Sequence, residues 1–472
     1  MSFWSKIMAR IPFRLENWSD FELRLIIGRF FSRAGDHAWD FAVPMAILRV
    51  CQGQLHLPIL YYFCARIGTV FFMPSIGTQL DRKSLRFGLA SGTILQIAGV
   101  TAGTFFLVLL AGDLNQSVRI SGDQQNLLLF ISLILSGIIA SFGAAALDIS
   151  IMNMVVPAMV PKARLSAVNS RIAQADLAVE VLAPLGAGFL LIWKSDIWVL
   201  SGFLMIALLN ILSFLPEISL IFPRLPRSGR SIGKRSPDTG GSVQERQVLP
   251  DRPAGKNIFF EIFRGWKSFF NEPVALSIFA YSFLWLSILS PHGVLLTTYL
   301  KGVWNIDEPT LGLFRAFGAL FGFLGTFAFP GLAKRFGLLR ASSWFISWQA
   351  LMVISALLAF LSVSGLNRSG AGIFLFLAFI LLSRIGLYGF CLGETEIRQI
   401  AIAPEARGRV NGFTSSWLSL MTLLIYGVGS LLSSSEGFLI LVCISAGAVA
   451  AAAAIFYWWR KNMVRNKQLV LP

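Results

Sequence analysis

The sequence predicts an all-α polytopic membrane protein with about twelve transmembrane helices. Hydrophobic residues make up 55% of the 472 positions and charged residues only 14%, and the mean hydropathy is +0.69. Apolar stretches recur along the whole chain, and each is near or above the roughly 20 residues that a helix needs to cross a bilayer. This composition excludes an ordinary soluble domain.

The apolar stretches form two groups of six, separated by one polar segment rich in Pro, Gly, Ser and charge. Such a composition favours a solvated linker over a folded unit. The predicted division is an N-terminal cytoplasmic or interfacial segment 1–20, an N-lobe 21–222 with helices 1–6, a cytoplasmic linker 223–257, a C-lobe 258–460 with helices 7–12, and a cytoplasmic tail 461–472.

The formal net charge of +16 could suggest a nucleic-acid ligand, but its distribution favours another explanation. The basic residues fall mainly on alternate connections and on both termini. By the positive-inside rule this pattern places both termini in the cytoplasm, as an even number of helices requires. We expect a multi-pass protein of the cytoplasmic (plasma or inner) membrane, in contact with lipid and with no nucleic-acid partner.

The two halves share a loop pattern. Gly77–Arg86 follows the second span and Gly331–Arg340 follows the eighth, with the leading glycine and the final arginine at matching offsets. The first copy resembles the loop signature of the major facilitator superfamily, Gly-x-x-x-Asp-Arg followed by basic residues. Two similar six-helix lobes of this fold imply a rocking transporter with its site near the midplane of the membrane.

Charged groups stand inside the first span. Asp36, His37 and Asp40 lie where a membrane helix tolerates few polar residues. An acid at this depth costs a few kcal/mol and is a transport or proton site by default. Counted from Glu22 at 1.5 Å per residue, Asp36 lies about 20 Å into its helix, near the bilayer centre. Asp176 is similarly central in the fifth span.

Several segments, in matching order and spacing, resemble the ferroportins, solute carrier family 40, and in particular a member of prokaryotic type. The resemblance runs nearly end to end and implies a ferrous iron exporter with the major-facilitator fold. The segments are Leu25–Val43 with Gly35-Asp36, Asn169–Pro184 with Asp176, Phe263–Trp266, Asn271–Val274, Arg384–Leu387 and Glu405–Gly412.

The resemblance implies an N-lobe metal site formed by Asp36 and Asp176, whose oxygens suit hard or borderline divalent metals. The C-lobe departs from the animal pattern, since Gly293 and Ile425 replace a cysteine and a histidine. Animal ferroportins bind a peptide hormone through that cysteine, so no such regulation is expected here. His292 stands beside Gly293, where Pro and Gly predict a break in helix 7, and it is either a metal ligand or a gate residue.

Four further residues are weaker metal candidates. Asp40 lies one turn beyond Asp36 and either contacts metal or pairs with a base, and His37 lies about 100° around the helix. Cys391 is either a soft ligand or plain packing. Gln96 matches a family position linked to a calcium-binding N-lobe site, although no helix-six acid near Asn210 is expected to complete that site.

Asp81, Arg86 and Arg407 are gate candidates, because the family forms inter-lobe salt bridges at these helix ends in the outward-facing state. The alternative is positive-inside anchoring of the basic residues. Such ion pairs, formed in one state only, would bias a two-state equilibrium.

Two further acids have different predicted roles. Glu180 lies one turn above Asp176 and is a candidate proton carrier. Glu394 and Arg398 are an i,i+4 pair whose opposite charges can neutralise each other without contact with the substrate.

The sequence therefore predicts an exporter of a divalent transition metal that works by alternating access, with proton exchange as a candidate coupling. The substrate is Fe²⁺ first, with Co²⁺, Ni²⁺, Mn²⁺ or Zn²⁺ as alternatives, and no resident cofactor is expected. No nucleophile–base motif, phosphate loop or HExxH pattern indicates an enzyme. We expect a monomer. The alternative is a major-facilitator proton-coupled drug or organic-solute antiporter in which Asp36 carries only protons.

Overall fold

The computed structural model describes residues 18–51, 56–111, 124–191, 196–226, 269–364, 370–432 and 435–465. The regular elements within these ranges are all helical, and no strand occurs in them. Most of the predicted N-terminal segment, of the linker and of the tail lies outside the described residues, as does the Phe263–Trp266 motif.

The N-lobe contains six long helices. They are α1 Asp20–Val50, α2 His56–Arg82, α3 Leu85–Leu110, α4 Gln124–Asp148, α5 Leu165–Leu191 and α6 Asp196–Ile221. Helix α4 continues past Asp148 as a π-helical segment, Ile149–Val155, and a last α-turn, Val156–Met159.

The C-lobe repeats the arrangement with one broken helix. Helix α7 consists of two short halves, Ala275–Phe283 and Val294–Gly302, and the others are α8 Glu308–Phe336, α9 Leu338–Ser364, α10 Gly370–Ala401, α11 Arg407–Leu431 and α12 Ser435–Arg465. The structure therefore extends the last helix beyond the predicted end of the C-lobe at residue 460.

Ten helices among the described residues are long and apolar enough to cross a membrane. The two exceptions in the twelve-helix order have clear causes. Helix α1 carries Arg29, Arg33, Asp36 and Asp40 in its middle, and α7 is interrupted. The all-α polytopic prediction is confirmed.

A capping box begins α1. Ser19 Oγ accepts a hydrogen bond from the Glu22 N–H at 3.3 Å, while a Glu22 carboxylate oxygen accepts from the Ser19 N–H at 2.9 Å. The buried Glu22 carboxylate also pairs with Arg164 at 2.9 Å, just before α5 begins. These contacts fix the start of α1 against α5 and so set the register of the residues deeper in the helix.

Each lobe has its own apolar core, and the lobes meet along two helix pairs. Helix α1 packs between α5 and α6 inside the N-lobe, while α2 packs against α11 and α5 against α8 across the lobe boundary. Helix α5 therefore lies at the boundary between the lobes, and α1 packs directly behind it.

Candidate metal-transport site

Asp36 lies in the middle of α1, where α1 packs closely against α6. A Cβ on Gly35 would lie 2.2 Å from Ser213 Oγ and 3.0 Å from Asn210 Cα, so this approach requires glycine. Asn210 Nδ2 consequently reaches Asp36 Oδ1 at 3.4 Å, and Gln96 Nε2 of α3 donates to the same oxygen at 2.8 Å. Asp36 is buried, and groups from α3 and α6 fix its carboxylate.

Asp176, in the middle of α5, lies close to the same arginine side chain as Asp36. Arg33 Nη1 lies 3.8 Å from Asp36 Oδ2, and Arg33 Nε lies 3.6 Å from Asp176 Oδ1. Arg33 is absent from the predicted site residues, although its position three residues before Asp36 puts both on one face of α1. The two acids thus flank one guanidinium.

A cavity of about 210 Å³ extends from Asp176 along the lobe boundary. Its polar lining comes from both lobes and includes Asn153, Asn169, Tyr281, Tyr388 and Cys391. Cys391 therefore lies in the cavity wall, as a soft ligand would, although within the described residues no group of three or more His, Cys, Asp or Glu side chains could hold a metal by itself.

Helix α6 carries a buried acid, Glu217, that is absent from the predicted site residues. Glu217 lies seven residues, two helical turns, beyond Asn210, and its side chain is fully buried at 0% exposure. The backbone of α6 approaches α1 here as well, since a Cβ on Gly28 would lie 2.9 Å from Glu217 Cα. The sequence could have indicated Glu217, because it is an acid on the same face of an apolar helix as Asn210.

Four buried oxygens on α3 and α6 make no well-formed hydrogen bond among the described residues. They are Gln96 Oε1, Asn210 Oδ1 and both carboxylate oxygens of Glu217. Buried polar atoms are normally paired, and an all-oxygen set next to a carboxylate suits a hard cation. The cluster of Asp36, Gln96, Asn210 and Glu217 is called the oxygen cluster below.

The two other candidates on α1 lie at the edge of this arrangement. Asp40 is exposed, and its backbone carbonyl accepts from the Tyr62 hydroxyl at 2.5 Å. His37 is half-buried, and His292 belongs to the other lobe. The structure therefore places Asp40 on the exposed side of α1 and His37 on a partly buried side.

The predicted break in α7 is confirmed. Residues 287–293 leave the helix, with Gly293 N–H donating to the Ser290 carbonyl at 2.9 Å. The Leu289 carbonyl exposed by the break accepts from Arg384 at 2.8 Å. His292 stands in the break, and its Nε2 is buried without a hydrogen bond among the described residues.

Acids on α5 and α10 lie beside the cavity. Glu180 accepts a hydrogen bond of 3.5 Å from the hydroxyl of Tyr388, which belongs to the other lobe. The predicted Glu394–Arg398 pair is confirmed at 2.8 Å, and Arg398 also donates to Asn411. Glu394 is thus neutralised within the C-lobe.

Among the gate candidates, Asp81 contacts the other lobe through backbone groups. The Asp81 carboxylate at the end of α2 accepts from the backbone N–H groups of Gly408 and Arg409, at 2.6 and 2.7 Å. The acid therefore caps the positive end of α11, a favourable place for an anion. Arg407 instead donates to the Gln399 and Ile402 carbonyls, at 2.9 and 3.3 Å, within its own lobe.

Arg86, the third gate candidate, makes its hydrogen bonds with the chain just beyond α6. It donates to the Leu225 carbonyl at 2.6 and 2.9 Å and to the Pro223 carbonyl at 3.4 Å, and both belong to the start of the linker. In this conformation Arg86 joins the start of α3 to the chain just beyond α6, because the carbonyl groups there accept hydrogen bonds from its guanidinium.

Gln399 of α10 supplies an inter-lobe contact that sequence reasoning missed. Its side chain accepts from Asn169 at 2.7 Å and donates to the Met152 carbonyl at 2.6 Å. That carbonyl is available because Met152 lies in the π-helical segment, where the Val156 N–H already bonds to Ile151 and the next position, Pro157, has no N–H.

The lobes are thus joined at one end, the end at which α2 and α10 finish and α11 begins. Ser166 also donates to Glu396, and Ser170 donates to the Thr326 carbonyl at 2.6 Å. Two six-helix lobes that close at one end around buried acids define a membrane transporter rather than an enzyme.

The chain belongs to the ferroportin family. The family model of Ferroportin1 matches residues 19–449. The chain is 39% identical over 430 residues to Ferreportin of Bdellovibrio bacteriovorus, covering 91% of this chain and 92% of that protein. It is 22% identical to Ferroportin of Homo sapiens, with 94% and 91% covered.

Solved structures agree with this assignment. The chain matches a bacterial homologue of the iron transporter ferroportin in the outward-facing state, with a TM-score of 0.80, 36% identity, and 93% and 99% of the two chains covered. The inward-facing state of that homologue matches with a TM-score of 0.62 at the same identity, with 93% and 98% covered. The Escherichia coli fucose:proton symporter, at 11% identity and a TM-score of 0.65 with 93% and 98% covered, shares the fold alone.

Proposed function

We propose that this protein exports a divalent transition metal, Fe²⁺ first among the candidates, from the cytoplasm by alternating access. The observation that carries the proposal is the convergence of Asp36 and Asp176, from two helices, on one position beside the inter-lobe cavity. Carboxylate oxygens suit Fe²⁺ and related divalent ions. The bacterial structural relative is a homologue of an iron transporter, which supports iron over other metals.

The proposed sidedness rests on the closed end. The higher TM-score to the outward-facing homologue, 0.80 against 0.62, supports assigning the joined end of the lobes to the cytoplasm. Under this assignment both termini lie on the same side as the joined end, in agreement with the positive-inside rule. In this proposal metal enters when the joined end opens and leaves when that end has closed behind it.

Two residues extend the proposed path. His292 offers an unpartnered imidazole nitrogen in the broken α7, which makes it our candidate for a second metal contact. Glu180 contacts the opposite lobe beside Asp176 and is our candidate for the proton acceptor if metal exchanges for protons. The remaining candidates, Asp40, His37 and Cys391, are assigned to the edge of the path.

Flux into proteoliposomes tests the proposal. Entry of Fe²⁺ or Co²⁺ is followed with a trapped metal-quenched fluorophore, and Asp36→Asn and Asp176→Asn are expected to abolish it. Asp20→Asn is the matched control, because Asp20 is exposed at the start of α1 and pairs with Arg24 at 2.8 Å. Wild-type flux in both site variants would refute the site.

The same vesicles address selectivity and the alternative function. A panel of Fe²⁺, Co²⁺, Ni²⁺, Mn²⁺ and Zn²⁺, measured with and without an imposed pH gradient, ranks the metals and tests proton exchange. Efflux of an organic cation without any metal flux would instead favour a proton-coupled organic-solute antiporter.

A further inference from the structure

Arg33 occupies the space between the two acids of the proposed metal site. It lies 3.8 Å from Asp36 Oδ2 and 3.6 Å from Asp176 Oδ1, so one side chain of α1 joins an acid of its own helix to an acid of α5. A metal ion coordinated by both carboxylates would need this same space. The guanidinium and the metal are therefore competitors for one position.

Arg33 is held more loosely than the structural arginines nearby. Arg33 Nε and Asp176 Oδ1 are both buried, yet neither makes a hydrogen bond among the described residues, and the Arg33 side chain is 28% exposed. Arg29, one turn earlier, is 2% exposed and hydrogen-bonded to Asp148. Arg33 is thus attracted by charge without being fixed by geometry, and it can swing towards the cavity.

The charges also disfavour simultaneous occupancy. Asp36, Asp176 and Arg33 together carry one negative charge, and adding a divalent ion would leave these groups with a net positive charge that the neighbouring acids Asp40 and Glu180 would have to offset. Such a charge is strongly unfavourable away from water. If the metal displaces the guanidinium, the two carboxylates and the ion are neutral together.

We propose that Arg33 is a tethered counter-ion, which fills the site between Asp36 and Asp176 when metal is absent and is displaced when a divalent ion binds. This inference rests on the proposed metal site. The tethered charge lowers the metal affinity and so favours release. It also disfavours monovalent cations, because a single positive charge that replaces the guanidinium gains nothing.

Equilibrium binding of Co²⁺ to the purified full chain, measured by titration calorimetry at constant pH, tests the proposal. Arg33→Gln is expected to bind Co²⁺ at least about tenfold more tightly, which corresponds to about 1.4 kcal/mol. Arg33→Lys keeps the charge and is expected to stay within about threefold of wild type. Arg24→Gln removes an arginine at the exposed end of α1 and is expected to leave the affinity unchanged.

A second readout uses competition. Excess Na⁺ at fixed ionic strength, with choline as the balancing cation, is expected to weaken Co²⁺ binding by Arg33→Gln but not by wild type. If Arg33→Gln does not fold, Arg33→Met is measured in its place, since it keeps much of the aliphatic stem.

The outcomes separate this inference from the proposed function. Asp36→Asn and Asp176→Asn serve as references in the same calorimeter. If both bind Co²⁺ like wild type, the proposed metal site is wrong. If both lose binding while Arg33→Gln and Arg33→Met bind no more tightly than wild type, the site stands and the counter-ion proposal is overturned.

Discussion

Asp81 caps the first turn of α11 through the backbone N–H of Gly408, at 2.6 Å, across the boundary between the lobes. The contact is possible because α2 and α11 almost touch. A Cβ on Gly77 would lie 2.2 Å from the Gly408 carbonyl oxygen, and one on Gly412 would lie 2.5 Å from the Met73 carbonyl oxygen. A carboxylate on a helix terminus therefore helps to hold the closed end.

Asp81→Asn should weaken the closed end. The amide keeps one acceptor oxygen but loses the charge that the α11 terminus favours, so about 1–2 kcal/mol of closure is lost. Cys391 in the cavity wall reports the change. In a variant with the other described cysteines changed to serine, a membrane-impermeant maleimide added at the joined end should label Cys391 faster.

The control for this measurement is Arg86→Gln. Arg86 contacts carbonyls at the start of the linker, just beyond α6, so its loss should leave the labelling rate of Cys391 unchanged. Arg407→Ala should have a smaller effect than Asp81→Asn, because its guanidinium binds within the C-lobe. Equal labelling rates in wild type and Asp81→Asn would show that the cap does not control access.

Gly35→Ala should destabilise the N-lobe. The added methyl group would overlap Ser213 and press against the α6 backbone at Asn210, and such overpacking typically costs about 1–3 kcal/mol. Gly186→Ala on α5 is the matched control, because a Cβ there meets nothing within 4 Å and alanine favours the helix. Thermal unfolding in detergent should show a lower Tm for the first variant only; equal Tm values would contradict the close packing.

Ca²⁺ should stabilise the protein through the oxygen cluster. A cation there would bind oxygens of Gln96, Asn210 and Glu217 that make no well-formed hydrogen bond, and binding to the folded state alone adds about 2.7 kcal/mol at a hundredfold excess over Kd. Glu217→Gln should abolish the rise in Tm, whereas Glu405→Gln, an exposed acid before α11, should retain it. A rise of the same size in Glu217→Gln would exclude the cluster as the site.

Arg398→Met should be more harmful than the double variant Glu394→Gln/Arg398→Met. Removal of the arginine alone leaves the Glu394 carboxylate, which is 0% exposed, without its partner, and breaking a buried pair in this way costs about 3–5 kcal/mol. Neutralising both groups avoids the uncompensated charge. Denaturant unfolding of the two variants measures the difference, and a double variant no more stable than Arg398→Met would contradict it.

Features that depend on local chain chemistry could be predicted from the sequence. The length of the apolar stretches predicted the helices. Pro291 and Gly293 predicted the break in α7, and the four-residue spacing of Glu394 and Arg398 predicted their ion pair. Each of these needs only the residues of one helix and its connections.

Features that depend on how helices approach one another could not be predicted in the same way. The role of Arg33 requires the distance between α1 and α5, and the burial of Glu217 requires the close approach of α6 to α1. The sequence predicts a side-chain partner for Asp81, whereas the structure pairs it with the backbone N–H of Gly408. Backbone N–H groups are present at nearly every residue, so the sequence does not indicate which of them Asp81 contacts. The acids were visible in the sequence, whereas their partners were visible only in the fold.

The π-helical segment of α4 links opening of the joined end to water. The Met152 carbonyl has no N–H partner in its own helix, since Pro157 occupies the next position, and Gln399 satisfies it only while the lobes are together. Once the lobes separate, a water molecule must solvate that oxygen. The balance between the two states should therefore depend on water activity, so that osmotic stress, which withdraws water, holds the joined end shut.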